Sequence, residues 1–286
     1  MFNEAMSFFA NMQGKLLVDV TAGKGGHFAG LLEKVGNNGK VIAFDRDLRA
    51  HQPDAAFGIM QKYPLNSELH HLSFSNLLNF LQDKNIKIDG LMCDLGVSSN
   101  QLDDPQRGFS FKNDGPIDMR MDQTSGITVY EWLNKNDEKT IADTLFKFGD
   151  EKKSRQIASL IKKSWPIKNS TVELANIIAK AVHSKKYNKT HPATRSFQAL
   201  RIAVNDELQE LISLLNSLPA ILNKNAVAVF ISFHSSEDRI IKRYFKELSK
   251  QGFNILTKKP LIPSEEEILH NKRSRSAKLR AIIRTE

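Results

Sequence analysis

LLVDVTAGKGGHFAG, residues 16–30, runs an apolar segment into a turn with glycine at 23, 25 and 26 and then into a helical pattern. In an open α/β sheet, ligands settle at the carboxyl ends of the strands, where glycine lets the backbone come close and the next helix offers its N-terminus. Residues 21–27 read as such a turn. A dinucleotide fingerprint would need glycine at 28 to complete G-x-G-x-x-G from Gly23, and Phe28 stands there instead. Asp45 ends the next apolar run, KVIAFD at 40–45, where a carboxylate accepts the hydroxyls of a nucleoside ribose. A glycine turn with that acid, and without a pyrophosphate fingerprint, suits S-adenosylmethionine better than NAD. The competing reading is a plain tight connection.

Working outward, short apolar runs alternate with helical patterns: LLVDV (16–20), KVIAFD (40–45), LHHLSF (69–74) and IDGLMCDL (88–95). This spacing predicts βαβ units and a parallel sheet. After Asp94 the rhythm stops. Residues 104–190 are turn-rich and then helical, and they read as a helical insertion between core segments 1–103 and 191–286. The rhythm returns with one long helical stretch from Thr194 to Leu218, the strand VAVFISF (227–233), a helix from Ser235, and two closing extended runs, FNILT and KLRAIIRT. Those two runs match the antiparallel hairpin that completes the sheet of class I methyltransferases, so the expected fold class is an α/β Rossmann-like sheet with an inserted helical domain.

The chain has 286 residues, of which 41% are hydrophobic and 26% charged, enough for a sizeable core. A single cysteine, Cys93, excludes an internal disulfide and a cysteine-rich zinc site, and no Cys/His cluster suggests a metal. The longest apolar run is too short to span a bilayer, and residues 1–15 lack a signal-peptide pattern, so the expectation is a cytoplasmic protein with no membrane partner. Net charge is +9, and between Glu151 and Thr190 ten basic residues face two acids, a local +8. A field of that size attracts phosphate backbones, although a solvated helical face would read the same way.

The stretches DVTAGKGGH (19–27), DLGVSSNQLDDPQRGFSFKNDGPIDMRMD (94–122), HPATRSFQALRIAVNDEL (191–208), ISFHSSEDRIIKRYF (231–245) and RSRSAKLR (273–280) resemble the bacterial small-subunit (16S) rRNA cytosine-N4 methyltransferase family, RsmH/MraW. The resemblance spans nearly the whole chain in order. It implies a cytoplasmic enzyme that moves a methyl group from S-adenosyl-L-methionine to the exocyclic amine of a cytidine in the decoding region, acting on 16S rRNA or the small ribosomal subunit. By motif, Gly25, Gly26 and His27 would contact the cofactor, Asp45 its ribose and Phe74 its adenine, with Asp94 and Gln101 completing the set. Without the motif, Phe74 would read as core and His27 as a helix-start hydrogen bonder. The family usually opens with a His-x-Pro-Val-Leu-Leu segment that this sequence lacks, through a misassigned start or a genuine loss, so the resemblance carries no lid or substrate contact over from that segment.

A cytosine amine is a weak nucleophile because its lone pair is delocalised into the ring. An acceptor on its N–H groups helps as positive charge develops on nitrogen. Asp94, at the end of the fourth strand, is the candidate catalytic group, with service at the cofactor's amino-acid end as its alternative. His234 in SFHSSED is the runner-up acceptor or a helix cap. The base must be single-stranded or flipped out, so planar and basic groups should rim the pocket. Candidates are Ser98, Arg107, Arg120, Arg195, Gln198, Arg201 and His234, with Arg239, Lys272, Arg273 and Arg275 further along. Thr194, Gln198, Arg201 and Asn205 share a helix face, and for Arg201 and Asn205 a buried structural network competes with RNA contact. Ser98 could bond the base or only make a turn. A methyltransferase for another RNA or a protein, and a non-catalytic RNA-binding module, are the alternative functions.

Overall fold

Strands covered on both faces are apolar at successive positions rather than alternate ones. Leu17 and Val18, Val41 to Phe44, Leu91 to Cys93 and Ala226 to Ile231 are all buried. The computed structural model describes residues 1–182 and 191–286. The chain forms two compact units, Met1–Gly96 with Leu208–Glu286, and Val97–Glu207. Its strands are β1 (Leu16–Asp19), β2 (Lys40–Asp45), β3 (Ser67–His71), β4 (Ile88–Asp94), β5 (Leu222–Ser232), β6 (Phe253–Ile255) and β7 (Lys278–Arg284). The helices of the first unit's opening part are α1 (Phe2–Ser7), α2 (Gly26–Val35), α3 (Ala56–Lys62) and α4 (Leu77–Asp83). Those that follow are α5 (Ser99–Asp103), α6 (Val129–Lys135), α7 (Glu138–Gly149), α8 (Ser154–Lys163), α9 (Thr171–Val182), α10 (Thr194–Asn205), α11 (Glu207–Ile221), α12 (Ser235–Leu248) and α13 (Glu265–His270).

In the first unit the strands make one sheet in the order β3-β2-β1-β4-β5-β7-β6. Strands β1 to β5 run parallel, and β7 is antiparallel to both β5 and β6. Successive strand residues feed two cores. Val18, Ile42, Phe44, Leu91 and Phe230 meet α4, α11 and α12 on one face, where Leu211, Leu214, Leu215 and Leu218 make the α11 stripe. Leu17, Val41, Ala43, Met92 and Val229 meet α1 and α2 on the other, through Phe28, Leu31, Leu32 and Val35. Both helical stripes have the 3-and-4 spacing of one buried helix face. Each fully buried Leu or Phe contributes about 1.5–3 kcal/mol. The chain crosses from β3 back over β1 to β4, which puts the topological switch point between β1 and β4.

Three details differ from the sequence expectation. The third strand ends at His71, so Phe74 opens a separate 3-10 turn, Phe74–Asn76, rather than closing the strand. The last two strands are antiparallel neighbours as expected, but α13 and a 3-10 turn separate them, so they are not a tight hairpin. The long helix from Thr194 breaks at Asp206, whose φ of 50° and ψ of 34° lie in the left-handed region and end α10.

The second unit is helical, with a core of Ile117, Val129, Leu133, Ile141, Leu145, Ile157, Ile161, Leu174, Ile178 and Leu200. Its starts are locally encoded. Ser98 and Gln101 form a capping box on α5, Thr128 and Glu131 another on α6, and Asp137 caps α7. As a compact unit it runs from Val97 to Glu207, wider than the 104–190 span read from sequence, because α5 and α10 pack with it. No helix among the described residues is long and apolar enough to cross a membrane.

Candidate active site

The strand ends of the first unit gather three carboxylates. Asp19 closes β1, Asp45 closes β2 and Asp94 closes β4. The loop after β1 prolongs the sheet: the Val20 N–H donates to the Met92 carbonyl and the Ala22 N–H to that of Phe44, both at 3.0 Å. Gly25 then starts α2 at φ 84°, in the left-handed region that glycine occupies without strain. A Cβ there would lie 2.7 Å from Ile59 Cγ1 and 3.1 Å from Ala56 Cα, so close packing also requires glycine. At Gly26 a Cβ would meet nothing within 4 Å, which leaves the first turn of α2 open on that side. No side chain caps this helix, so its leading N–H groups and the positive end of its dipole are left for an anionic group to meet.

Asp45 is held by two backbone donors, Gly23 N–H to Oδ2 at 2.7 Å and Asp47 N–H to Oδ1 at 2.8 Å. Each oxygen keeps acceptor capacity for a hydroxyl. Burial raises its pKa to about 6 against the lowering effect of those two donors. Asp19 is fully buried. Its Oδ1 accepts from the Thr21 N–H at 3.0 Å and the Thr21 hydroxyl at 3.3 Å, while Oδ2 has no partner. Thr21 Oγ1 in turn accepts the Asp94 N–H at 2.7 Å, tying the β1 and β4 ends together. Burial, reinforced by the negative charge of Asp19, raises Asp94 to about 7. Burial likewise raises Asp19 to about 7. Asp94 Oδ2 lies 3.5 Å from His27 Nδ1, and Asp94 Oδ1 is buried without a partner. Desolvation lowers His27 to about 4, so its imidazole is neutral at physiological pH.

Phe74 is half-buried against the core that contains Phe44 and Leu77. Its turn is anchored by Glu210 on α11, which accepts from the Ser73 hydroxyl and from the Ser75 N–H at 3.2 Å. His234 caps α12: its Nδ1 accepts the Glu237 N–H at 3.4 Å, and Nε2 lies 3.1 Å from Glu237 Oε1. This is the geometry of the helix-cap alternative, and Nε2 makes no hydrogen bond. Arg239, Lys272, Arg273 and Arg275 are exposed.

Within the helical unit, Gln101 is buried and its Oε1 accepts the Ser98 N–H at 2.9 Å, while Ser98 Oγ accepts the Gln101 N–H at 3.3 Å. Arg107 departs from its expected RNA role. It is buried, and its Nη2 donates to the carbonyls of Arg120 and Met121 at 3.0 and 2.9 Å. Arg120 forms a forked pair with Asp118, at 2.7 and 3.1 Å. Arg201 pairs in the same way with Glu207, at 2.7 and 2.8 Å. Asn205 accepts the Met121 N–H and donates to the Met119 carbonyl, both at 2.7 Å. The structural network therefore describes Arg201 and Asn205. Arg195 is exposed and Gln198 half-buried on α10. Of the basic stretch, Lys185, Lys186 and Lys189 lie outside the described residues.

Sequence reasoning missed Asp19, Thr21 and Glu210. Asp19 had a visible signal, a carboxylate ending an apolar strand directly before the glycine turn. Glu210 had none, because its partners lie 135 and 137 residues away.

The family model described as the MraW methylase family matches residues 1–285. A protein of Vesicomyosocius okutanii named "Ribosomal RNA small subunit methyltransferase H" is 42% identical, over 98% of this chain and 95% of that protein. Proteins of the same name from Solibacter usitatus and a Wolbachia strain are 44% and 43% identical, over 98% and 99% of this chain and 96% and 97% of theirs. A glycine turn between carboxylate-tipped parallel strands, and a match that leaves out only the last residue, lead to one assignment: the chain belongs to the MraW methylase family.

Proposed function

We propose that this chain is an S-adenosyl-L-methionine-dependent methyltransferase that acts on 16S rRNA of the small ribosomal subunit, in the cytoplasm, at the N4 amine of a cytidine. The observation that carries the reading is that two carboxylate oxygens, Asp94 Oδ1 at the end of β4 and Asp19 Oδ2 at the end of the neighbouring β1, are buried without a partner at the switch point. A folded chain pairs its buried polar atoms unless something else is to meet them. An ammonium or an amine fits two such oxygens, and a cationic cosubstrate suits a site with three carboxylates.

Asp45 would hold the ribose hydroxyls through the acceptor positions its two backbone donors leave. Gly25, Gly26 and His27 would take the cofactor's carboxylate at the open start of α2, with Phe74 against the adenine. When bound, the sulfonium supplies an electrophilic methyl group and needs no metal. The remaining task belongs to the protein. With a pKa of about 7, Asp94 is partly ionised at neutral pH, so it is poised to accept an N–H of the incoming amine and to take its proton as nitrogen becomes positive. Neutral His27, 3.5 Å from its other oxygen, orients the carboxylate without neutralising it. The amine is thereby aligned and its lone pair freed from the ring.

Transfer of labelled methyl into purified small subunits, followed by nucleoside analysis, tests the reading. N4-methylcytidine supports it. Another methylated product makes the chain a methyltransferase of different specificity, and no product makes it a binding module. By calorimetry, Asp45→Ala should weaken S-adenosylmethionine binding about ten- to a hundred-fold, the range for losing hydrogen bonds to a charged acceptor. Unchanged affinity removes the ribose clamp.

A further inference from the structure

The helical unit carries a cleft of about 530 Å³ where α7 turns into α8. Phe146 and Asp143 of α7, Lys152 and Lys153 of the turn, and Arg155 and Gln156 of the first turn of α8 line it. Phe146 is 61% exposed, more than any other Phe, Tyr or Trp among the described residues. Packing does not call for an aromatic ring there. Ile141, Ala142, Leu145 and Gly149 supply the buried stripe of α7, and Phe146 stands outside it.

The cations around the ring are differently employed. Lys153 donates to the Val182 carbonyl at 2.8 Å and so ties α9 to the turn. Lys152 and Arg155 are exposed. Asp143 is the one acid in the lining, so the cleft carries a net positive charge. It also opens the stretch in which ten basic residues face two acids.

A concave site with an exposed ring and flanking cations matches a nucleotide: the base has a flat face to stack and the adjoining phosphates are anionic. An acidic peptide would satisfy the cations and leave the ring without a partner. We propose that this cleft binds a single-stranded segment of RNA, with one base stacked on Phe146 and the flanking phosphates held by Lys152 and Arg155. The proposal rests on the reading of the chain as an RNA methyltransferase and extends it by giving the substrate a docking point on the helical unit.

The test uses the full-length protein and a fluorescein-labelled, unstructured 12-nucleotide RNA, followed by anisotropy across a range of salt concentrations. Phe146→Ala should weaken binding about ten-fold while the thermal midpoint holds, because the ring is exposed. Lys152→Ala with Arg155→Ala should lower the slope of log affinity against log salt by about one to two, as expected for two lost phosphate contacts. With small subunits as methyl acceptor, Phe146→Ala should raise KM and leave kcat unchanged. Unchanged RNA affinity and salt slope overturn the proposal, as does loss of binding to a glutamate-rich peptide of equal charge while RNA binding persists. The two readings fail separately. A wild-type protein that makes N4-methylcytidine, with a Phe146→Ala variant that binds RNA normally, loses only the cleft. One that binds RNA through Phe146 and makes no N4-methylcytidine loses only the assigned reaction.

Discussion

Two clusters of polar side chains, Asp19 and Asp94 at the strand ends of the first unit and Arg201, Asn205 and Glu207 at the end of α10 in the second, are bonded in opposite ways. At the strand ends of the first, Asp19 and Asp94 keep unpartnered oxygens and have pKa values raised to about 7. In the second, Arg107, Asn205 and the Arg201–Glu207 pair make hydrogen bonds at 2.7–3.0 Å. Unpaired buried groups destabilise a fold and paired ones hold it. The contrast separates residues kept for a ligand from residues kept for shape, although all of them are polar side chains in the same family motifs. It follows that substitutions in the first set should remove function and spare stability, and substitutions in the second should do the reverse.

The largest effect is expected at Asp94. Asp94→Ala should lower methyl transfer into small subunits by about 10²–10⁴, the usual range for loss of a general base or of an orienting carboxylate. The thermal midpoint should stay level or rise, since a desolvated carboxyl has been removed. Turnover within a factor of two of wild type would end its proposed role. A large drop in the midpoint would place Asp94 among the structural residues and break the contrast.

Asn205 should give the opposite pattern. Its side chain holds Met121 N–H and Met119 C=O, and Met119 sits at φ 61°, a left-handed conformation that needs outside support in a residue with a side chain. Arg107 clamps the same segment through the Arg120 and Met121 carbonyls. Asn205→Ala leaves two buried backbone groups without partners and should destabilise by about 2–4 kcal/mol, seen as a lower denaturant midpoint. S-adenosylmethionine affinity per folded molecule, by calorimetry, should stay within about two-fold of wild type.

This contrast explains which parts of the molecule were legible in the sequence. The apolar runs gave the parallel strands because a strand buried on both faces has no other composition. The glycine turn and Asp45 were legible because both lie on one short, contiguous βαβ unit. Burial was not legible. Arg107 sits in a turn-rich block and reads as a solvent-facing cation, yet the chain folds around it and its hydrogen bonds go to carbonyls 13 and 14 positions on. The sequence reads Phe74 into the third strand because His70 and His71 continue an extended pattern, while the turn that holds it is fixed from α11 by Glu210. The break at Asp206 did leave a trace: Asn-Asp is a pair that tolerates left-handed backbone, but the helical periodicity on either side outweighed it.

The smallest expected effect concerns Asp19, and it has a sign. An acid whose folded pKa is about 7, against an ordinary value of 3.8, favours folding in its protonated form. Its contribution is full below about pH 4 and fades as pH rises through 7, because above that the fold must keep a desolvated charge that the unfolded chain exposes to water. Asp19→Asn keeps an acceptor for the Thr21 N–H and removes the charge. The variant should therefore unfold at a higher urea concentration than wild type at pH 8, by on the order of 2 kcal/mol, and the difference should vanish near pH 4. Paired urea titrations at the two pH values read this directly. If the variant is instead the weaker protein at pH 8, the ionised carboxylate has a stabilising partner in the free fold, and Asp19 belongs with Asn205 and Arg201 among the groups that hold the structure together.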